Sequence, residues 1–215
     1  MRGDRLQYHA LGANMQEVQE SKSFGASGRR GRKRAETHAR IQVEAIRLFL
    51  ERGFDATTLD DIAGAADVSR RSLFHYFASK EEIVFSTKAD FPHLIAEAIG
   101  RRPADEPLLD MVEKALIDLA ERHLSDQARD LARLIQETPA LRAGDQAKYE
   151  TVERVLARAL ADRKGLPDTD IDCRVTAAAA IGILKLSTRA WLAGEDVGPD
   201  TFGKAAFAAL RRVIG

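Results

Sequence analysis

Residues 57–83 read TTLDDIAGAADVSRRSLFHYFASKEEI, and this stretch decides the fold. Thr58 and Asp61, three positions apart, form a capping pair: a short polar side chain and a following acid satisfy the free amides of a helix start. Leu59, Ile62, Ala63 and Ala66 then fall on one helical face. Asp67 marks a tight turn, and Ser69 is placed to cap a further helix whose inward side is Val68, Leu73 and Phe77. Ser79-Lys80-Glu81-Glu82 repeats the cap signal and opens a fourth helix. Upstream, Ile41, Ala45, Leu48, Phe49 and Arg52 follow helical spacing, from a cap at Thr37 to a stop at Gly53. Three short helices, the second and third joined by a tight turn, make a helix-turn-helix unit.

The third helix carries the chemistry. With Leu73 and Phe77 turned inward, Arg70, Arg71, Ser72, Phe74, His75 and Tyr76 are left outward or sideways. A guanidinium fork fits the O6/N7 edge of guanine, while Ser, His and Tyr donate to phosphate oxygens. Phe74 suits a thymine methyl, and Lys80, opening the next helix, is placed to grip the backbone. A solvated charged helix explains two arginines by themselves; it does not explain them inside three capped helices of these lengths.

From Ile41 to Ile83, and above all in FLERGFDATTLDDIAGAADVSRRSLFHYFASKEEI, the chain resembles the DNA-binding domain of TetR/AcrR-type transcriptional regulators. Asp67 departs from the pattern, which most often has glycine there. The resemblance implies that Thr57 or Thr58, Tyr76 and Lys80 contact phosphate and that Arg70, Arg71, Ser72 and His75 read bases. Further on, FSTKADFPHLIAEAI, LIQETPALRA and the alanine-rich helix ending in AWLAGED resemble a subgroup described as acyl-CoA-like-ligand regulators, which includes those beside mycofactocin genes.

The charge distribution agrees with a chain in two parts. The 215 residues carry 33 basic and 33 acidic side chains. Residues 1–80 hold 14 basic against 10 acidic, and residues 81–215 hold 19 against 23. A neutral total argues against a general polyanion-coating protein, and the acidic remainder argues against a purely architectural DNA binder. Residues 29–34, RRGRKR, concentrate five positive charges. We read residues 1–34 as a flexible basic arm, adding phosphate or minor-groove contacts at its basic end. Residues 1–25 are equally a leader of no consequence, with Met15 as an alternative start. The DNA-binding domain is placed at 35–80, with the helix-turn-helix at about 58–77, and a ligand-binding and dimerisation domain at 81–215.

That larger domain reads as helices between breakers, giving an all-α chain of about nine helices. Pro92 must kink one helix or start a new one with Asp90 as cap; Pro139 ends another; Gly165 and Pro167 close a third. The helix at about 170–192 is apolar on two flanks. Val175, Ala179, Gly182, Leu186 and Ala190 form one, and Ala177, Ile181, Leu184, Thr188 and Trp191 the other. Such a helix must be covered twice. A second copy is the expected second cover, with Phe202, Ala206 and Leu210 of the last helix completing a four-helix homodimer interface. Met111, Leu116, Leu134, Ile135 and Trp191 are the candidate lining of a small-molecule site.

Several chemistries lack residues. A single cysteine, Cys173, rules out an internal disulfide and a cysteine-built zinc site, and reads as a core residue. His93 with Glu97 offers two metal ligands and nothing nearby completes three. Gly25, Gly28 and Gly31 do not follow a dinucleotide fingerprint. Neither catalytic pairs nor cofactor motifs are found, so we expect no enzyme, no cofactor and no metal. No stretch approaches the ~18 uninterrupted apolar residues of a membrane span. The expectation is a cytoplasmic homodimeric regulator, with double-stranded operator DNA and a small apolar or amphipathic effector as partners and no membrane. The rival reading is a helical enzyme or carrier that keeps the N-terminal unit only as structure.

Overall fold

The computed structural model describes residues 28–123, 125–194 and 199–214; the leader before residue 28, Met15 included, lies outside the described residues. All regular structure among them is helical, in ten segments. This agrees with the about nine helices expected. The chain divides into two compact units, Met1–Ser86 and Thr87–Gly215, six residues beyond the boundary read from the sequence.

The first unit holds α1 (Arg29–Arg52), α2 (Leu59–Ala65), α3 (Arg70–Phe74) and α4 (Lys80–Ser86). Its core is Ile41, Ala45, Leu48 and Phe49 of α1 against Ile62, Leu73, Phe77 and Ile83, all at most 2% exposed. The local signals hold at α2, where Thr58 and Asp61 make a reciprocal capping box, and at α3, where Ser69 accepts from the Ser72 amide. Ser79 Oγ likewise accepts from the Glu82 amide at 3.2 Å. The turn between α2 and α3 holds Asp67 at φ 50°, the one non-glycine residue with positive φ among the described residues. Aspartate tolerates that backbone region better than most residues.

Two expectations need correction. First, α1 begins at Arg29 behind a Gly28 cap, so the basic run is helical and no flexible arm covers residues 29–34. Arginine, lysine, alanine and glutamate are good helix formers, which carries the helix back through the charged turns. Thr37 is therefore an interior residue, and its hydroxyl donates to the Lys33 carbonyl at 2.9 Å. Second, α3 is shorter than SRRSLFHYF suggests; after Phe74 the chain continues in tight turns that still bring Phe77 into the core.

The second unit holds α5 (Phe91–Gly100), α6 (Leu108–His123), α7 (Asp126–Glu137), α8 (Pro139–Lys164), α9 (Ile171–Ala193) and α10 (Pro199–Ile214). Its core joins Ile95 and Ile99 of α5, Met111, Val112 and Ala115 of α6, Val152, Leu156 and Leu160 of α8, Cys173, Ala177 and Ile181 of α9 and Phe207 of α10. Pro92 lies in the first turn of α5, a new start rather than a kink, although the Asp90 side chain makes no capping bond. Pro139 both ends α7 and begins α8, which runs 26 residues to a left-handed Gly165. Helix α9 is long and apolar enough, by length and composition, to cross a membrane. Its line of buried residues, Cys173, Ala177, Ala180, Ile181 and Ser187, instead makes it a core helix of this unit.

Candidate nucleic-acid interface and effector region

The outward side of α3 is open. Arg70, Arg71, Phe74 and His75 are exposed, Phe74 at 46%, and Ser72 and Tyr76 are half-buried. These six do not stand alike. Arg70 is drawn across the groove to Asp60 of α2, with Nη1 2.8 Å from the carboxylate, and its guanidinium lies 5.9 Å from the Phe74 ring centroid. The Ser72 hydroxyl is engaged with that of Ser69 at 2.8 Å. Arg71 makes no hydrogen bond or ion pair with any described residue, so its fork is the one cation of α3 left for a ligand.

His38 of α1, which the sequence reading did not single out, ties the basic turns to the residues that follow α3. Its ring stacks on Phe77 at 4.4 Å and meets Tyr76 edge-on at 6.5 Å. Burial, and after it the charge of Arg34, pushes the His38 pKa down, so the imidazole is held neutral. Gly31, Arg32, Lys33 and Arg34 are exposed on the turns before it, and α1 has no acid in its first turn. Cations near the positive end of the helix macrodipole are unfavourable until an anion arrives. A second tie, Arg40 Nε to the Ala66 carbonyl at 2.8 Å, holds α1 to the turn of the motif. Neither tie leaves a local sequence signal, since the partners are more than 25 residues apart.

Three implied phosphate contacts are placed otherwise. Thr57 is fully buried, and its hydroxyl is directed at the Gly53 carbonyl at 2.8 Å and the Leu48 carbonyl at 3.3 Å. It closes the α1–α2 connection and has no surface for phosphate. Thr58 is exposed, but its hydroxyl lies 2.5 Å from the Asp61 carboxylate within the capping box. Lys80 is also turned inward: its ammonium donates to the carbonyls of Phe54 at 2.8 Å and Thr57 at 2.9 Å. All three were assigned to phosphate because position in the sequence alone does not say which groups lie within reach.

In the second unit, none of the five candidate effector residues lines the depression described below. Met111 is fully buried in the core and Leu116 packs against it; Ile135 is buried on α7, with Leu134 and Trp191 half-buried. Met111 and Leu116 are apolar because they fill the core of the unit. A shallow, open depression among the described residues of this unit is lined by Gln136, Gln146, Tyr149, Lys185, Thr188 and Arg189.

The candidate dimer residues divide. Val175 and Leu186 are exposed at 59% and 52%, Gly182 is exposed and Ala179 half-buried, in line with Ile171 at 64%. Ala190 is buried and does not belong to that stripe. On α10, Ala206 and Leu210 pack on the unit's own core beside Phe207, because positions 206, 207 and 210 share one side of the helix, while Phe202 is half-buried. Cys173 is buried, with its thiol pushed up to about 11 by burial first and by Asp170 next, which makes it a poor nucleophile.

Comparison with known proteins places these units. Residues 41–87 match the model of bacterial regulatory proteins of the tetR family, and residues 106–214 match that of the MftR C-terminal domain. The HTH-type transcriptional regulator TcmR of Streptomyces glaucescens is 31% identical over 192 residues, covering 85% of each chain. A protein of Mycobacterium tuberculosis named as a mycofactocin biosynthesis transcriptional regulator, MftR, is 31% identical over 172 residues, covering 78% of this chain and 85% of its own. Among solved structures, NalD, the secondary repressor of the MexAB-OprM multidrug efflux pump in Pseudomonas aeruginosa, superposes with a TM-score of 0.60 at 20% identity, over 83% of this chain and 96% of its own.

Proposed function

The chain belongs to the TetR family of transcriptional regulators, helix-turn-helix DNA-binding proteins and not enzymes, and from that premise we propose that it is a cytoplasmic repressor that binds a palindromic operator as a homodimer and is released by a small effector. Arg71 carries the reading: an exposed guanidinium on the helix that this family directs at DNA, with no protein partner to occupy it. Arg70, Phe74 and His75 flank it, Ser72 and Tyr76 border it, and the exposed cations Arg32, Lys33 and Arg34 supply sequence-independent phosphate attraction.

What supports dimerisation is the exposed apolar stripe Ile171, Val175, Ala179, Gly182 and Leu186, since a folded protein rarely leaves such a row uncovered. What supports an effector is the second unit, which is larger than a dimerisation stem requires and matches the MftR C-terminal domain. An amphipathic, acyl-CoA-like molecule fits the subgroup resemblance. The chain passes from α4 of the DNA-binding unit directly into the second unit at Ser86–Thr87, so an effector that prefers one arrangement of the second unit acts on the first through that connection. Its effect can be no larger than its differential affinity for the two states.

Anisotropy titration of DNA from the protein's own upstream region, at two salt concentrations and with and without an acyl-CoA, tests the reading. Specific binding that falls steeply with salt and weakens with the acyl-CoA is the expected result. Equal affinity for upstream and random DNA removes the operator.

A further inference from the structure

The cleft of the second unit has more donors than acceptors. Helix α7 contributes Gln136, α8 contributes Gln146 and Tyr149, and α9 contributes Lys185, Thr188 and Arg189. Lys185 is held in place: its ammonium donates to Gln146 Oε1 at 3.1 Å and sits 4.9 Å from the Tyr149 ring centroid. Only one of its three N–H bonds is used there. The Thr188 hydroxyl is spent on the Leu184 carbonyl at 2.9 Å. Arg189, one turn beyond Lys185, is exposed. No carboxylate lines the cleft, and neither cation has one within ion-pair distance among the described residues.

Asp145 and Glu150 adjoin Gln146 and Tyr149 along α8; Glu150 is exposed, and Asp145 is buried with its charge acting on Lys88 and on Tyr149. Burial, and then Asp145, raise the Tyr149 pKa, and its phenol is hydrogen-bonded to Thr188. Some cations of this unit are neutralised closely, as where Arg211 meets Asp110 and Glu113, or Arg102 and Lys114 meet Glu106. Lys185 and Arg189 have no such partner among the described residues. One held cation, one exposed cation and two amide side chains around one concavity present several donors and positive charge to whatever enters. An oxyanion, with several acceptor lone pairs and negative charge, is the group that satisfies them.

We infer that this cleft is the seat of an anionic head group, carboxylate or phosphate, of the effector, held by Lys185 and Arg189 with Gln136 and Gln146. The inference rests on the ligand-responsive reading given above and specifies the ligand's chemistry: the polar end of an amphipathic molecule is recognised here, outside the apolar core.

Isothermal titration of the full-length protein with octanoate, octyl phosphate, inorganic phosphate and octanol provides the test. Octanoate or octyl phosphate should bind at least tenfold more tightly than octanol, and the order of the two anions tells carboxylate from phosphate. Binding of inorganic phosphate as tight as that of octyl phosphate identifies a free anion as the ligand. In the Lys185→Gln/Arg189→Gln variant the preference for anions should fall below twofold. Because Arg189 is exposed, Arg189→Gln alone gives a folded control and should lose part of that preference. Equal affinity of wild type for octanoate, octyl phosphate and octanol overturns the inference, as does a preference that survives the double substitution. Monomerisation of the double variant in sedimentation also overturns it, since the cations would then be serving a carboxylate of a second copy. Wild-type binding to upstream DNA, measured without any of these compounds, is a separate reading: its failure undoes the regulator and leaves the anion preference standing.

Discussion

The ammonium of Lys80 lies 2.8 Å from the carbonyl oxygen of Phe54 and 4.5 Å from the centroid of the same residue's ring. One side chain at the start of α4 thus holds the loop between α1 and α2 by a charge-assisted bond and a cation–π contact. Lys80→Ala should cost about 1–3 kcal/mol of folding stability in the DNA-binding unit. It should leave the salt dependence of DNA binding unchanged in the folded fraction. Thermal melts paired with anisotropy at several salt concentrations check this; a slope reduced by about one would restore Lys80 to the phosphate contacts.

Arg71 and Arg70 should separate on mutation. Arg71→Ala should lose about 1–3 kcal/mol on the specific site and relax sequence preference, because an unpaired fork is free for a base edge. Arg70→Ala should cost less on DNA, since Arg70 gives up its bond to Asp60 before it can reach a ligand. Titrations on specific and random duplexes decide; an equal loss on both for Arg71→Ala removes it from base reading.

Gly182 on the exposed stripe of α9 has no atom within 4 Å of where a Cβ would stand. Gly182→Arg should therefore fold as a monomer unit without strain, yet obstruct a helix of a second copy. We expect the dimer dissociation constant to rise at least a hundredfold, about 2.7 kcal/mol, and operator binding to fall with it. Sedimentation of wild type and variant at micromolar concentration is the measurement, and a monomeric wild type would sink the homodimer.

Asp67→Gly should raise the stability of the DNA-binding unit by up to about 1 kcal/mol, because glycine relieves the steric cost of φ 50°. A lower melting temperature in the variant would show that the aspartate side chain itself stabilises the turn.

The lowered pKa of His38 has a definite sign. The native imidazole resists protonation while the unfolded one accepts it near the ordinary value of 6.5, so the unfolded state binds more protons below that pH. Stability of the DNA-binding unit should be full above pH 6.5 and decline as pH falls through it. His38→Gln should flatten that part of the profile. Melts between pH 5 and 8 check it, and an unchanged slope in the variant assigns the decline to another group.

The sequence by itself determined the helices of the motif and its outward face. Capping at Thr58, Ser69 and Ser79 and the burial of Leu73 and Phe77 are decided within a turn or two of chain, where i, i+3 and i, i+4 neighbours settle the geometry. The Asp67 turn was legible for the same reason, as was the apolar stripe Val175, Ala179, Gly182 and Leu186. Tertiary structure alone decided the rest. Whether Lys80 grips phosphate or the Phe54 carbonyl depends on a loop 26 residues away. Thr57 is hidden by α1 packing, and Met111, Ala206 and Leu210 are core because helices from distant stretches close over them. The Lys185–Gln146 pairing joins positions 39 apart. Apolar and cationic residues mark a helix face locally; what covers that face is set by where the other helices come to rest.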